Sequence, residues 1–169
     1  DKMEVTDTDI YKSDQAFTQG QMITVTGIDN LNEWWIDPDF FEKQSDGALK
    51  FLPINGDYRV TANAVLKYFS VMALKDGKPA KLQDDGTGAI WAIGKGIGKP
   101  SVTSSEVGWE PSKALCLAQV ASKKYQLTLK AGETLKTSGD PEVISFKFFH
   151  QNDWGGEFGN YASSILVEQ

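Results

Sequence analysis

The sequence predicts an all-β protein, an immunoglobulin-like or carbohydrate-binding-module-like β-sandwich in two sandwich-like parts. Three observations predict it. Short runs of alternating apolar and polar residues recur along the whole chain, the period of strands whose successive side chains point to opposite faces. Helical periodicity is almost absent. A run of Gly, Asp, Lys and Pro from Asp76 to Gly88 interrupts the pattern, which then starts again.

In chain order, residues 1–20 are rich in Asp, Thr, Ser and Gln and read as a flexible leader with one edge strand. Residues 21–76 form a first β module. Within it, Gln21–Gly27 alternates as a half-buried strand, and Asp37-Pro38-Asp39-Phe40-Phe41 suits a short helical turn with Pro38 at its first position. Strands over Ala48–Ile54 and Tyr58–Ala64 flank Asn55-Gly56-Asp57, a strong hairpin signal. Leu66–Leu74 is the next strand, and residues 77–88 are the linker. In the second module, 89–169, strands are expected at Ala89–Ile93, Ala114–Val120, Tyr125–Leu129, Ile144–His150 and Ser164–Val167, with a long loop from Gly94 to Pro111.

Charge and cysteine content remove several function classes. The net charge is −6 and Arg59 is the single arginine, which argues against a nucleic-acid partner and against anion clamps. The expected ligand is neutral. One cysteine, Cys116, lies in the apolar run Ala114–Ala118 and reads as a buried thiol. No run of about 18 apolar residues suggests a membrane-spanning helix. The acidic, polar opening DKMEVTDTD suits a tether following a lipid anchor.

Candidate sites were weighed by spacing. Gly94-Lys95-Gly96-Ile97-Gly98-Lys99-Pro100 fails as a nucleotide loop: its third glycine comes one residue early, and Pro100 stands where a phosphate loop needs Ser or Thr. His150 is the sole histidine, so a Ser-His-Asp triad would have to use it, and no G-x-S-x-G elbow is present. Pairs such as Asp84 with Asp85, or Asp37 with Asp39, lack calcium-loop spacing. No metal and no cofactor is expected. Ser145–Tyr161 holds most promise: a strand, SFKFF, runs into a polar, glycine-bent loop that carries Trp154 and Tyr161 among amides and carboxylates. Such rings can cover the C–H face of a pyranose. Trp34-Trp35 with Phe40-Phe41 is a rival cluster, in which Phe40 and Phe41 read as core and one tryptophan as facing solvent.

The order Ala89-Ile90-Trp91-Ala92-Ile93-Gly94, Gly108-Trp109, Tyr125-Gln126-Leu127-Thr128-Leu129 with Ala131-Gly132, Phe146-Lys147-Phe148 and Asp153-Trp154-Gly155 resembles the repeated module of SusE/SusF-type surface glycan-binding lipoproteins of Bacteroides-type polysaccharide-utilisation systems. The resemblance covers Ala89 to Tyr161. It implies a β-sandwich that binds glycan without cleaving it, with Trp109 and Trp154 at the aromatic positions and Lys147 at the basic one. Asn152, Glu157 and Tyr161 join them by sequence proximity.

The expected function is therefore non-catalytic capture of a neutral polysaccharide or oligosaccharide, starch-like or another glucan or hemicellulose. It would act at the cell surface, as a lipid-anchored monomer beside outer-membrane transporter components. Two other readings use the same residues. One is a spacer or protein-interaction module in an uptake complex. The other is a glycoside hydrolase working through Asp153 and Glu157.

Overall fold

A computed structural model describes residues 2–158 of the chain. The protein is nearly all β, built from several antiparallel sheets. The first and largest has the order β1 (Glu4–Asp7), β2 (Ile10–Phe17), β6 (Gly56–Asn63), β7 (Tyr68–Lys75), β8 (Lys78–Pro79). Opposite its inner face lies a small sheet of β3 (Met22–Ile23), β5 (Leu49–Phe51) and β4 (Phe41–Lys43), in the order β3-β5-β4.

Alternation dictates the first core. Tyr58, Val60 and Ala62 on β6 are buried, while Arg59, Thr61 and Asn63 between them are half-buried. They meet Phe17 of β2, Phe69 and Val71 of β7, and Phe41, Leu49 and Phe51 of the small sheet. Burying each large apolar side chain contributes about 1.5–3 kcal/mol. The rings interlock: Phe17 stacks on Phe51 at 4.7 Å, and Tyr58 meets Phe51 edge-on at 4.9 Å.

The second core forms around β9 (Trp91–Gly98), the central strand of a four-stranded sheet. A short helix α1 (Val102–Ser105) leads into β10 (Glu106–Gly108), which pairs with β9 near its end, and β11 (Leu115–Cys116) pairs with β9 near its start. A separate hairpin joins β12 (Ala118–Ala121) to β13 (Lys124–Gln126). Finally, β14 (Ser145–Phe149) covers the other edge of β9, with Phe149 opposite Trp91. Trp91, Ile93, Ile97, Val107 and Phe149 are almost fully buried, and the Trp91 indole N–H donates to the Ala80 carbonyl at 3.0 Å.

The two cores exchange residues. Ala118 packs in the first core with Val120 against it, and Met72 and Ala73 of β7 pack on the second. A buried ion cluster ties the halves further. Lys99, after β9, places its ammonium 2.6 Å from Asp37 and 3.3 Å from Asp39, and all three side chains are nearly inaccessible. Asp39 also accepts from the Thr128 amide at 2.8 Å, from its hydroxyl at 2.6 Å and from Gln126 at 3.3 Å. The turn after Asp37 forms as expected: the Phe40 and Phe41 amides donate to the Asp37 carbonyl, and the Asp37 carboxylate accepts from the Asp39 amide. That turn sets both carboxylates toward Lys99.

Several local expectations are corrected. Residues 4–17 form two strands rather than a flexible leader, because Ser13 and Phe17 of β2 are buried against β6. Asn55-Gly56 makes no hairpin: β5 pairs with β3 and β4, whereas β6 pairs with β2 and β7. Asn55 instead accepts from the Gln19 amide at 2.8 Å, holding the chain as it crosses between sheets. The true tight turn is Asp76-Gly77, both at positive φ, between β7 and β8. The strand expected from Gln21 to Gly27 shrinks to two residues, and the run Ala114–Val120 divides at Leu117 between two sheets. The strand expected at Ser164–Val167 lies outside the described residues.

The glycine-rich segment is also strand rather than loop. A Cβ on Gly94 would lie 2.3 Å from the Phe146 Cα, and its φ is +148°. Glycine at this position lets β14 pair closely with β9. Gly94→Ala is therefore expected to destabilise the protein by about 2–3 kcal/mol, read as a lowered midpoint in urea unfolding.

Candidate glycan-binding site

The site grows from the end of β14. Ser145, Lys147 and Phe149 share one face of the strand by its two-residue period. Phe149 is 1% exposed and forms the floor, and Trp154 packs on it edge-on with centroids 5.8 Å apart. Turn chemistry holds the loop. The Asp153 carboxylate accepts from the Trp154 amide at 2.7 Å, the Gln151 side-chain amide donates to the Trp154 carbonyl, and Gly155 and Gly156 both adopt positive φ. The chain then returns: the His150 amide donates to the Gly156 carbonyl, and Glu157 pairs with Phe149.

Trp109 reaches the same place from the opposite edge of β9. It follows β10, where Gly108 at φ +60° turns the backbone outward. Its ring lies 6.3 Å from that of Trp154, with the planes 27° apart. Trp109 is 39% exposed and Trp154 48% exposed, well above the level of a core ring. Two elements distant in sequence thus present two near-parallel indoles to solvent.

The exposed Lys147 ammonium sits 3.3 Å from both oxygens of Glu157. Lys147 is two residues from Phe149, about 7 Å along the strand. Asn152 is half-buried, and its carbonyl oxygen is buried without a hydrogen-bond partner among the described residues. Trp109, Trp154, Lys147, Glu157 and Asn152 all belong to this end of the second sheet and its loops. Tyr161 lies outside the described residues.

The rival aromatic cluster is core. Trp34 is 7% exposed and packs on Phe69 at 4.7 Å, Phe40 and Phe41 are buried, and Trp35 is half-buried beside Tyr68. Trp34 is shut off from solvent, while Trp35 keeps part of its surface exposed. His150 stands exposed at the strand end, edge-on to Phe158 at 4.3 Å. Cys116 is buried, and burial pushes its thiol up to about 12.

Sequence reading missed two features. Phe149 as the support for Trp154 could have been found from the strand period, since it shares a face with Lys147. The Lys99 cluster carries no local signal, because Lys99 lies 60 or more residues from Asp37 and Asp39. Among the described residues, no group of three or more His, Cys, Asp or Glu side chains is placed to hold a metal ion, and no helix is long and apolar enough to cross a membrane.

Residues 1–82 match the family model of a domain of unknown function (DUF5125), and residues 85–166 match that of a second such domain (DUF5121). The two matches meet between β8 and the second core. No curated protein and no solved structure matches the chain.

Proposed function

We propose that the second half of the chain binds a neutral polysaccharide without cleaving it, using Trp109 and Trp154 as the stacking platform. The observation that carries this reading is the pair of exposed, near-parallel indoles 6.3 Å apart. A buried pair would instead favour a spacer role. Each indole covers the C–H face of a sugar ring, and Lys147, Glu157 and Asn152 supply donors and acceptors for the hydroxyls around it. A site this open gains little from each contact, so affinity for one short oligosaccharide is about −4 to −7 kcal/mol, millimolar to tens of micromolar. Repeated engagement along a polymer raises it. On this reading the protein captures a glucan or hemicellulose at the cell surface, beside the transporter that imports it.

Affinity electrophoresis through gels containing a panel of neutral polysaccharides tests the reading. Retardation of the wild type on at least one polymer is expected. Unchanged mobility on every polymer would contradict it and favour the protein-interaction alternative.

A further inference from the structure

One amine and two carboxylates are enclosed together where the two halves of the chain meet. The Lys99 nitrogen lies 2.6 Å from Oδ2 of Asp37 and 3.3 Å from Oδ2 of Asp39, and the three side chains are 5%, 4% and 0% exposed. A carboxyl oxygen stands about 1.2 Å from its carbon, so the nitrogen is within about 3.8 Å of the Asp37 carboxyl carbon. Each member is held from behind. The Ser105 hydroxyl donates to the Lys99 carbonyl at 2.6 Å, and the Asp39 amide donates to Oδ1 of Asp37 at 3.0 Å. Thr128 and Gln126 anchor the Asp39 carboxylate, and the buried Phe40 ring lies 5.7 Å from the Lys99 nitrogen.

These are the reactants of an acyl transfer, already in place. A lysine amine is a nucleophile toward carbonyl carbon, and fixing it beside its target gives an effective concentration of about 10⁵ M or more. Amide formation would replace a buried ammonium and a buried carboxylate, both costly to keep from water, by one neutral group. The reverse hydrolysis would lack its reactant in a site closed to water. The Asp39 amide aims at Oδ1, where negative charge develops as the nitrogen attacks. Burial raises the Asp37 carboxyl above its usual 3.8, against the pull of Lys99, which favours the protonated oxygen that must leave.

We propose that Lys99 and Asp37 join in an intramolecular isopeptide bond after the chain folds. The Lys99 nitrogen bonds to the Asp37 carboxyl carbon, the bond from that carbon to Oδ2 breaks, and two protons of the ammonium depart with Oδ2 as one water. Asp39 takes the first of these protons from the nitrogen and passes it to Oδ2. Ammonium and carboxylate become amide and water, so no co-reactant is required. The bond spans 62 positions of the chain and ties its two halves covalently. Until it forms, the cluster is the ion pair seen in the structure, and only that form titrates at Asp37. The inference does not depend on glycan binding.

Intact-mass spectrometry tests it. The full chain is prepared unfolded, refolded, sampled over time and denatured before weighing. The wild type is expected to become lighter by one water, and its proteolytic digest to contain a branched peptide joining Asp37 to Lys99. Lys99→Arg keeps the positive charge without the amine and is expected to hold its full mass. Asp39→Asn is expected to react at least tenfold more slowly. A folded wild type that keeps its full mass would overturn the proposal. So would loss of water without the branched peptide, or equal loss in Lys99→Arg, either of which places the dehydration elsewhere, as at Asp46-Gly47. An undiminished rate in Asp39→Asn would overturn the proton route through Asp39. Should a variant fail to fold, the presence or absence of the branched peptide in the wild type still decides.

Discussion

Asp39→Ala is expected to cost about 3–5 kcal/mol of stability, the range found when one partner of a buried ion pair is removed. For a chain of this size that lowers the unfolding temperature by roughly 6–20 °C. Asp39 is wholly inaccessible and serves the Lys99 ammonium, the Thr128 amide and hydroxyl, and the Gln126 amide at once. Alanine strands these donors in a site that water does not reach. Lys99→Met produces a loss of similar size, because it leaves two carboxylates buried without their cation. Asp39→Asn falls between, keeping an acceptor for Thr128 while losing the charge. A loss below about 1 kcal/mol in Asp39→Ala would mean that the cluster is solvated.

The same cluster sets a pH dependence. Burial raises the Asp37 carboxyl above its usual 3.8, against the opposing pull of Lys99. The folded chain therefore takes up this proton more readily than the unfolded one. The contribution favours folding below 3.8 and is lost as pH rises through the raised value. In Asp37→Asn that contribution disappears, so the variant loses less stability than the wild type as pH rises across this window. Chemical denaturation at a series of pH values reads the difference.

Trp154→Ala is expected to have the largest effect on function. Removing a stacking ring from a two-ring platform weakens binding at least tenfold, about 1.4 kcal/mol, and abolishes retardation on a polymer that slows the wild type. The fold should survive, since Trp154 is nearly half exposed and only its edge meets Phe149. Trp109→Ala weakens binding likewise. Trp34→Phe, a change in the first core, leaves retardation unaltered. A Trp154→Ala protein that is folded and fully retarded would remove the platform from the account.

What the sequence made legible was local. Strand β14 and its loop, the turn beginning at Asp37-Pro38, and the burial of Phe40 and Phe41 each follow from a pattern within a few residues. The meeting of Trp109 with Trp154 was suggested by resemblance, and it depends on β10 and β14 flanking the same strand. Non-local pairing decided where reading failed. Asn55-Gly56 carries a hairpin signal, yet its neighbours pair in different sheets, and Gly56 lacks the positive φ that such a turn requires. The glycines from Gly94 to Gly98 suggest a loop by composition but permit close strand contact. The joint made by Lys99, Asp37 and Asp39 shows only when both halves are folded together.

The most direct test of the glycan platform is the set of five indole N–H resonances of the ¹⁵N-labelled protein, assigned by single substitutions and followed as a retarding oligosaccharide is added. The account predicts that the Trp109 and Trp154 signals move together with one binding constant, while those of the buried Trp34 and Trp91 stay in place. Fixed Trp109 and Trp154 signals at saturating ligand, with movement at the other tryptophans, would contradict it.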